Sequence, residues 1–140
     1  MKIDNILLDK LTAQAKESPR LRMNLDLRNS DADSSQRMLN AIEPGYVVPV
    51  HRHQKTSETM VVLRGRVVEE YYSSAGVLEA SYELAAGGPV FALNIPAGQW
   101  HTLRALESGT VILEMKDGAY EPIGAEDVMD VFKRESLQGK

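Results

Sequence analysis

The stretch from Gly45 to Gly65, GYVVPVHRHQKTSETMVVLRG, constrains the fold more than any other part of the chain. Its second half predicts a β-strand, in which successive side chains point to opposite faces. One face would carry Glu58, Met60 and Val62, and the other Thr59, Val61 and Leu63. A strand covered on both faces is typical of the inside of a β-sandwich or of a subunit interface, so a layered structure is expected around it.

Two histidines stand in the first half of this stretch. His51 and His53 are separated by one residue, so an extended chain would project both imidazoles from the same face. Glu58 lies an odd number of residues beyond His53, and a turn or bulge in the polar run 54–57 would return its carboxylate to that face. Imidazole nitrogen and carboxylate oxygen are ligands that first-row transition metals accept, so these residues are candidate metal ligands.

The chain has 3 histidines, and the last one lies in a second motif. His101 follows Pro96 and Gly98, which predict a rigid turn that would deliver one more imidazole from a neighbouring strand. The sequence therefore predicts a site for one divalent transition metal ion, with the ligands His51, His53, Glu58 and His101.

The identity of the metal stays open at this point. The chain contains no cysteine, which excludes disulfides and thiolate ligands and leaves nitrogen and oxygen donors. Such a ligand set suits Zn²⁺, Fe²⁺, Mn²⁺, Ni²⁺ or Co²⁺. An ion with an open coordination position would act as a Lewis acid or lower the pKa of bound water, whereas a closed four-ligand zinc site would be structural.

The composition restricts the partners of the chain. A length of 140 residues and an apolar content of 43% suit a single domain over 1–140 with one compact core. The net charge of −4, with both signs mixed along the chain, argues against nucleic acid or an anionic membrane as a partner. Aspartates interrupt the apolar N-terminal run, which does not read as a signal peptide, and a cytoplasmic location is expected.

Hydrophobic periodicity divides the chain into a helix, a β-region and a second helix. Apolar residues at helical spacing predict an N-terminal helix at about 3–16, folded over one edge of the sheet. Alternation and frequent turns predict an antiparallel sandwich or jelly roll at about 20–117, with strands that include 20–28, 36–43, 66–72, 77–84 and 110–116. Val128, Val131 and Phe132 share one helical face and predict a short C-terminal helix at about 125–134.

The strand at 20–28 carries candidates for binding a small-molecule ligand. Its apolar residues alternate with a polar set that includes Arg20, Arg22 and Asn24. If this polar face lines the mouth of the sandwich, the guanidinium groups can bind a carboxylate, a phosphate or sugar hydroxyls. The alternative is a solvated outer face.

Three further residues are candidates for the same ligand. Gln36 and Arg37 lie on the next predicted strand, where their opposite parity predicts that only one of them points inward. Trp100 precedes His101 and is predicted either as a wall of the pocket or as part of the core.

The spacing of these motifs resembles a known family. Gly45, His51, His53, Glu58 and Gly65 match the first motif of the cupin superfamily, and Pro96, Gly98 and His101 match the core of the second. Val90 stands where the second motif has a glycine. The runs SPRLRMNLDLR, QRMLNAIEPG, PVHRH, ETMVVLRGRV, IPAGQWHTL and EMKDGAY, which lie within roughly 3–122, are similar to the WbuC family of small bacterial cupin metalloproteins. The resemblance implies an all-β cupin jelly roll, an antiparallel sandwich with a short helix at each end.

Three functions remain open at the level of sequence. Genes of the WbuC family often lie among those for O-antigen or other surface polysaccharides, which implies a protein that binds or converts a sugar or sugar nucleotide, with the metal as Lewis acid. The alternatives are an iron-dependent dioxygenase of a small organic acid and a module that binds a sugar or carboxylate without turnover. Cupin-like sandwiches often pair through outer strands, so a homodimer is expected.

Overall fold

The structure, a computed structural model, describes residues 1–129 and opens with one α-helix. Helix α1 spans Asn5–Glu17, and the carboxylate of Asp4 caps it by accepting a hydrogen bond from the backbone N–H of Leu7 at 3.0 Å. The predicted helix at about 3–16 is therefore confirmed. Its buried residues Leu8, Leu11 and Ala15 pack on the outer face of a sheet instead of across its edge. No helix of the described residues is long and apolar enough to cross a membrane.

Eight β-strands follow α1 and pair into two antiparallel sheets. In chain order they are β1 (Arg22–Asp26), β2 (Ser35–Ile42), β3 (Glu58–Arg64), β4 (Arg66–Tyr72), β5 (Leu78–Ala85), β6 (Ala92–Ile95), β7 (Trp100–Ala105) and β8 (Thr110–Asp117). The five-stranded sheet has the order β1-β2-β8-β3-β6, and the three-stranded sheet has the order β5-β4-β7. This mostly-β arrangement with one α-helix confirms the predicted antiparallel sandwich.

The core lies between the two sheets and follows from the alternation of the strands. Residues from both sheets form one apolar cluster there: Ile42, Met60, Val62, Val67, Leu84, Ala105 and Ile112. The opposite face of the five-stranded sheet carries Leu39, Ala41 and Val111, which pack under α1. The inner face of β3 is buried and its outer face is half-buried, so the predicted cover of both faces is only partly realised.

Gly65 makes the connection between the sheets, since it links β3 of one sheet to β4 of the other. Its φ is +82°, a conformation that side chains with a Cβ rarely adopt. A Cβ at this position would also lie 2.8 Å from the Cα of Thr110. A glycine is required here for both reasons.

The predicted C-terminal helix is wrong where the structure can test it. Residues Ala125–Asp127 form one 3₁₀ turn, and Val128 then forms an antiparallel β-bridge with His51. The pairing with a distant segment outweighs the local helical spacing, because an extended residue gains a backbone partner there. The rest of this prediction, 130–134, lies outside the described residues.

Candidate metal centre and ligand cavity

The histidines come from two segments that are joined through their backbones. His51 and His53 lie in the irregular segment between β2 and β3, and His101 is the second residue of β7. The N–H of His51 donates to the carbonyl of His101 at 3.0 Å, and the N–H of His101 donates to the carbonyl of His51 at 2.8 Å. A mutually bonded antiparallel pair projects its side chains to the same side, so the imidazoles converge.

The three imidazoles lie close enough to share one ion. One ring nitrogen from each of His51, His53 and His101 lies within 4.8 Å of the other two. Two nitrogens bonded to a common ion at about 2.1 Å each are at most about 4.2 Å apart, so a small inward rotation of the rings completes the contact. The rings of His51 and His101 are the closest pair, with centroids 4.4 Å apart.

The environment prepares these imidazoles as neutral ligands. Nδ1 of His51 faces the carbonyl of Pro49 at 2.7 Å, and Nδ1 of His101 faces the carbonyl of Gln99 at 2.8 Å. When Nδ1 carries the proton for such a bond, Nε2 keeps its lone pair for a metal. Burial, followed by the nearby His101, lowers the pKa of His51 to about 3, and burial with Lys116 lowers that of His53 to about 4. The rings of His51 and His53 are therefore uncharged at neutral pH.

Glu58, the first residue of β3, borders the cluster. Its carboxylate lies 3.5 Å from Nε2 of His101 and 3.7 Å from the ammonium of Lys116. Burial opposes the charged form, but the neighbouring His101 and the charge of Lys116 outweigh it and hold the pKa of Glu58 below its ordinary range. His101 thus lies between the carbonyl of Gln99 and the carboxylate of Glu58, and its Nε2 and this carboxylate would be available to hold a cation. This donor set fits a divalent metal.

A cavity of about 360 Å³ opens beside the histidines. The opposite wall belongs to the inner face of the five-stranded sheet and includes Arg22, Asn40, Glu114 and Lys116. Tyr46 lies beside Arg22, whose guanidinium carbon is 5.4 Å from the centre of the ring. The volume is at the lower end of that of small-molecule sites, so the cavity suits a compact ligand.

The candidates from the first strand divide between this cavity and the surface. Arg22 lines the cavity, and its guanidinium donates to the hydroxyl of Tyr46 at 3.4 Å. Asn24 is exposed and does not line it. Arg20 lies before β1 and is exposed, and it borders a second cavity that is also lined by His53. Of these three, only Arg22 lines the cavity of about 360 Å³, although Asn24 shares its face of β1.

The other three candidates lie outside the cavity. The side chain of Gln36 donates to the carbonyl of Gly118 at 2.7 Å, and Arg37 forms an ion pair with Asp33 at 3.1 Å. Trp100 is half-buried, and its ring lies 4.7 Å from the guanidinium carbon of Arg52. His101 faces the cavity, and its neighbour in the strand therefore points to the opposite face.

Several residues that line the cavity were not predicted from the sequence. Asn40 and Glu114 face inward from β2 and β8 beside Ile42 and Ile112, so the alternation could have placed each on the inner face but could not show that they adjoin. Burial, together with the charge of Glu58, raises the pKa of Glu114 to about 7. Ile123 and Val128 complete the rim from the C-terminal segment, and no local pattern indicates that this segment returns to the cavity.

The C-terminal segment is attached beside the histidines by one carboxylate. Asp127 accepts hydrogen bonds from Arg52 at 2.8 Å and from Gln54 at 2.6 Å. The backbone N–H of Arg52 also donates to the carbonyl of Asp127 at 3.0 Å. These contacts hold the segment across one side of the cavity.

Known structures share this architecture. The chain is similar to the capsular polysaccharide assembling protein CapF from Staphylococcus aureus, at 20% identity and a TM-score of 0.57 over 64% of this chain and 24% of that one. It is also similar to KdgF from Halomonas sp., at 15% identity and a TM-score of 0.56 over 71% and 82% of the two chains. A recombinant oxalate oxidase in complex with glycolate matches at 15% identity and a TM-score of 0.61, over 86% of this chain and 67% of the oxidase.

The length of the match differs among these proteins. The chain spans 28% of CapF in a crystal structure with the inhibitor 3-isopropenyl-tropolone, where the TM-score is 0.61 and the identity is 19%. It therefore corresponds to about a quarter of that protein. At such identities the likeness establishes the fold.

The two antiparallel sheets and the likeness to these structures show that the chain has a fold of the cupin class, as the motif spacing predicts. Within that class, the chain belongs to the family described as a domain of unknown function, DUF6016, whose sequence model matches residues 3–84. That range contains His51, His53 and Glu58 and ends before His101. A search of curated proteins gives no match.

Proposed function

We propose that this chain is a metal-dependent cupin in which His51, His53, His101 and Glu58 hold one divalent transition metal ion. The observation that carries the proposal is the convergence of three imidazoles within 4.8 Å of one another beside a cavity. When bound, such an ion supplies Lewis-acid polarisation of a carbonyl or hydroxyl oxygen. The chain itself supplies the neutral imidazoles and a cavity wall of polar side chains that orients the ligand.

The proposed ligand is a sugar or a sugar nucleotide in the biosynthesis of a bacterial surface polysaccharide such as O-antigen. The similarity of the sequence to the WbuC family supports this substrate class, as does the likeness to a capsular polysaccharide assembling protein. The cavity of about 360 Å³ suits one monosaccharide unit, and a nucleotide would extend beyond its mouth. Arg22, at the wall, is suited to bind hydroxyl or phosphate oxygens of such a ligand.

A second candidate function is the iron-dependent oxidation of a small organic acid. The likeness to an oxalate oxidase in complex with glycolate favours it. The residues that would hold iron are the same, so the metal site alone does not separate the two functions. A change in the absorption of the Fe²⁺ form on addition of nitric oxide, together with oxygen uptake in the presence of glycolate, would favour this alternative.

Elemental analysis of the purified full chain, combined with mass spectrometry of small molecules that copurify, tests the proposal. We expect a stoichiometric divalent transition metal and a copurifying compound that contains a sugar. A chain that carries no such metal and takes up none on dialysis against Zn²⁺, Fe²⁺, Mn²⁺, Ni²⁺ or Co²⁺ would contradict the metal site. A copurifying small organic acid without sugar would instead support the second candidate.

A further inference from the structure

A diagonal row of polar side chains crosses the inner face of the five-stranded sheet. Arg22 on β1 pairs in register with Ile42, while Asn40 on β2 pairs with Ile112 and Glu114 on β8 pairs with Met60. Each polar residue is thus offset by two positions from the polar residue of the next strand, and such diagonal neighbours on one face are about 7 Å apart or less. We call Arg22, Asn40 and Glu114 the polar diagonal.

The polar diagonal lies directly across the cavity from the histidines. All three of its residues line that cavity. The residues paired with them include Ile42, Ile112 and Met60, which are apolar and fully buried. The same face also carries the polar residues Asn24, Glu58 and Lys116. Polar side chains that interrupt a core face cost stability unless they have partners, which indicates that this row serves a ligand.

Asn40 carries the strongest indication of a missing partner. Asn40 adjoins Glu114 on this face, and its side chain opposes the rise in the pKa of Glu114 that burial causes. Asn40 is 5% exposed, and among residues 1–129 its Oδ1 has no hydrogen-bond partner. A buried amide oxygen without a partner is costly, and a ligand group with an O–H would satisfy it.

The chemistry of the row distinguishes between ligand classes. Oδ1 of Asn40 and the carboxylate of Glu114 accept hydrogen bonds, whereas the guanidinium of Arg22 donates them. Neighbouring hydroxyls of a sugar ring both donate and accept, so one ring can satisfy all three groups. An oxalate ion has no O–H to donate to Oδ1 of Asn40, so it would leave that buried oxygen without a partner.

We propose that the polar diagonal is a hydroxyl-recognising subsite, which binds neighbouring hydroxyl groups of a monosaccharide unit while another oxygen of the same ligand faces the histidines. The inference rests on the proposed function, since it names the ligand class of the same cavity. It assigns Asn40 and Glu114 as specificity-determining residues in addition to Arg22.

Calorimetric titration of the metal-loaded full chain tests the subsite. The probes are glucose, galactose, mannose and rhamnose on one side and oxalate and glycolate on the other. We expect at least one monosaccharide to bind, and Asn40→Leu and Glu114→Gln to weaken its binding about tenfold or more through the lost hydrogen bonds. Asn94→Leu is the matched control, because Asn94 is exposed on β6 of the same sheet. The affinity of this variant for the monosaccharide should equal that of the wild type.

The outcomes separate this inference from the proposed function. Metal content is measured for each variant, and Glu114→Gln keeps the shape of the residue should Asn40→Leu fail to fold. Unchanged sugar affinity in a folded, metal-loaded Glu114→Gln variant would overturn the subsite while leaving the metal site intact. Binding of oxalate or glycolate with no binding of any of the four sugars would also overturn it. Loss of metal from the wild type itself would instead overturn the proposed function.

Discussion

The rings of His51 and His101 are oriented by the same kind of contact with the local backbone. In each case Nδ1 faces the carbonyl of the residue two positions earlier, at 2.7 Å for Pro49 and 2.8 Å for Gln99. The rotation of the ring is then set by the backbone that carries it, so little ordering is left for an arriving ion to impose. The spacing of the histidines predicts the candidate site, but it does not reveal these carbonyls, because they depend on the path of each turn.

Removal of one imidazole should abolish metal binding without unfolding the sheets. In His53→Ala, the lost ligand is half-buried and lies outside the strands, so the apolar core between the sheets stays intact. We expect metal content to fall from stoichiometric to near zero, while the circular dichroism spectrum keeps its β signature. Lys55→Ala is the control, because Lys55 is exposed and its weak pair with Glu121 spans 3.5 Å. Unchanged metal content in His53→Ala would remove this residue from the site.

Glu69 is an ionisable residue buried between the sheets. It is fully buried, and neither oxygen of its carboxyl group has a hydrogen-bond partner among the described residues. Burial, followed by the nearby Glu58, raises the pKa of Glu69 well above its ordinary value. A raised carboxyl pKa in the folded state means that this group opposes folding increasingly as the pH rises above the unfolded pKa of about 4.3.

Glu69→Gln should therefore stabilise the protein at alkaline pH. We expect the free energy of unfolding to rise by about 1–3 kcal/mol at pH 8, with a smaller difference at pH 5, where the carboxyl group of the wild type is protonated in the folded state. Urea unfolding at both pH values measures this. Glu70→Gln is the control, since Glu70 points to the other face and pairs with Arg104 at 3.1 Å. An equal effect of Glu69→Gln at both pH values would show that Glu69 does not titrate as described.

At the scale of elements, the alternation of apolar and polar residues predicted the strands well, because the two faces of each sheet have different surroundings. The predicted strand at 66–72 coincides with β4, that at 36–43 is shifted by one residue from β2, and that at 110–116 ends one residue before β8. The predicted C-terminal helix is wrong because its first part pairs with a segment more than 70 residues earlier. The inward polar residues Asn40 and Glu114 were missed because the register of β1, β2 and β8 is needed to see that they adjoin.

The turn between β3 and β4 should tolerate no side chain. In Gly65→Ala, the new Cβ meets Thr110 and the backbone must hold a φ of +82°. We expect the free energy of unfolding to fall by about 1–3 kcal/mol. Gly87→Ala is the matched control, because a Cβ there meets nothing within 4 Å. Equal stability of the two variants in thermal unfolding would contradict this account of the turn.

At the scale of the whole molecule, both sheets contribute to the candidate site. His101 belongs to the three-stranded sheet, Glu58 and the polar diagonal belong to the five-stranded sheet, and His51 and His53 lie in the segment between β2 and β3. An ion bound to these residues would join the two sheets. Binding to the folded state alone shifts the unfolding equilibrium toward that state, so metal and stability are linked.

Metal removal should lower the thermal stability of the wild type. We expect the midpoint of thermal unfolding to fall on treatment with EDTA and to recover when the metal is restored. The free energy of unfolding should rise by about 2.7 kcal/mol when the free metal concentration is a hundred times its Kd. In His53→Ala the same treatment should leave the midpoint unchanged. Equal responses of the two proteins would mean that any stabilising ion binds elsewhere.

The position of the ion is the central claim, and anomalous X-ray diffraction at the absorption edge of the bound metal tests it most directly. Crystals of the metal-loaded full chain should show an anomalous peak bonded to ring nitrogens of His51, His53 and His101 and to the carboxylate of Glu58. A metal-loaded crystal with no peak between these side chains, or with its peak at a different site, would contradict the account.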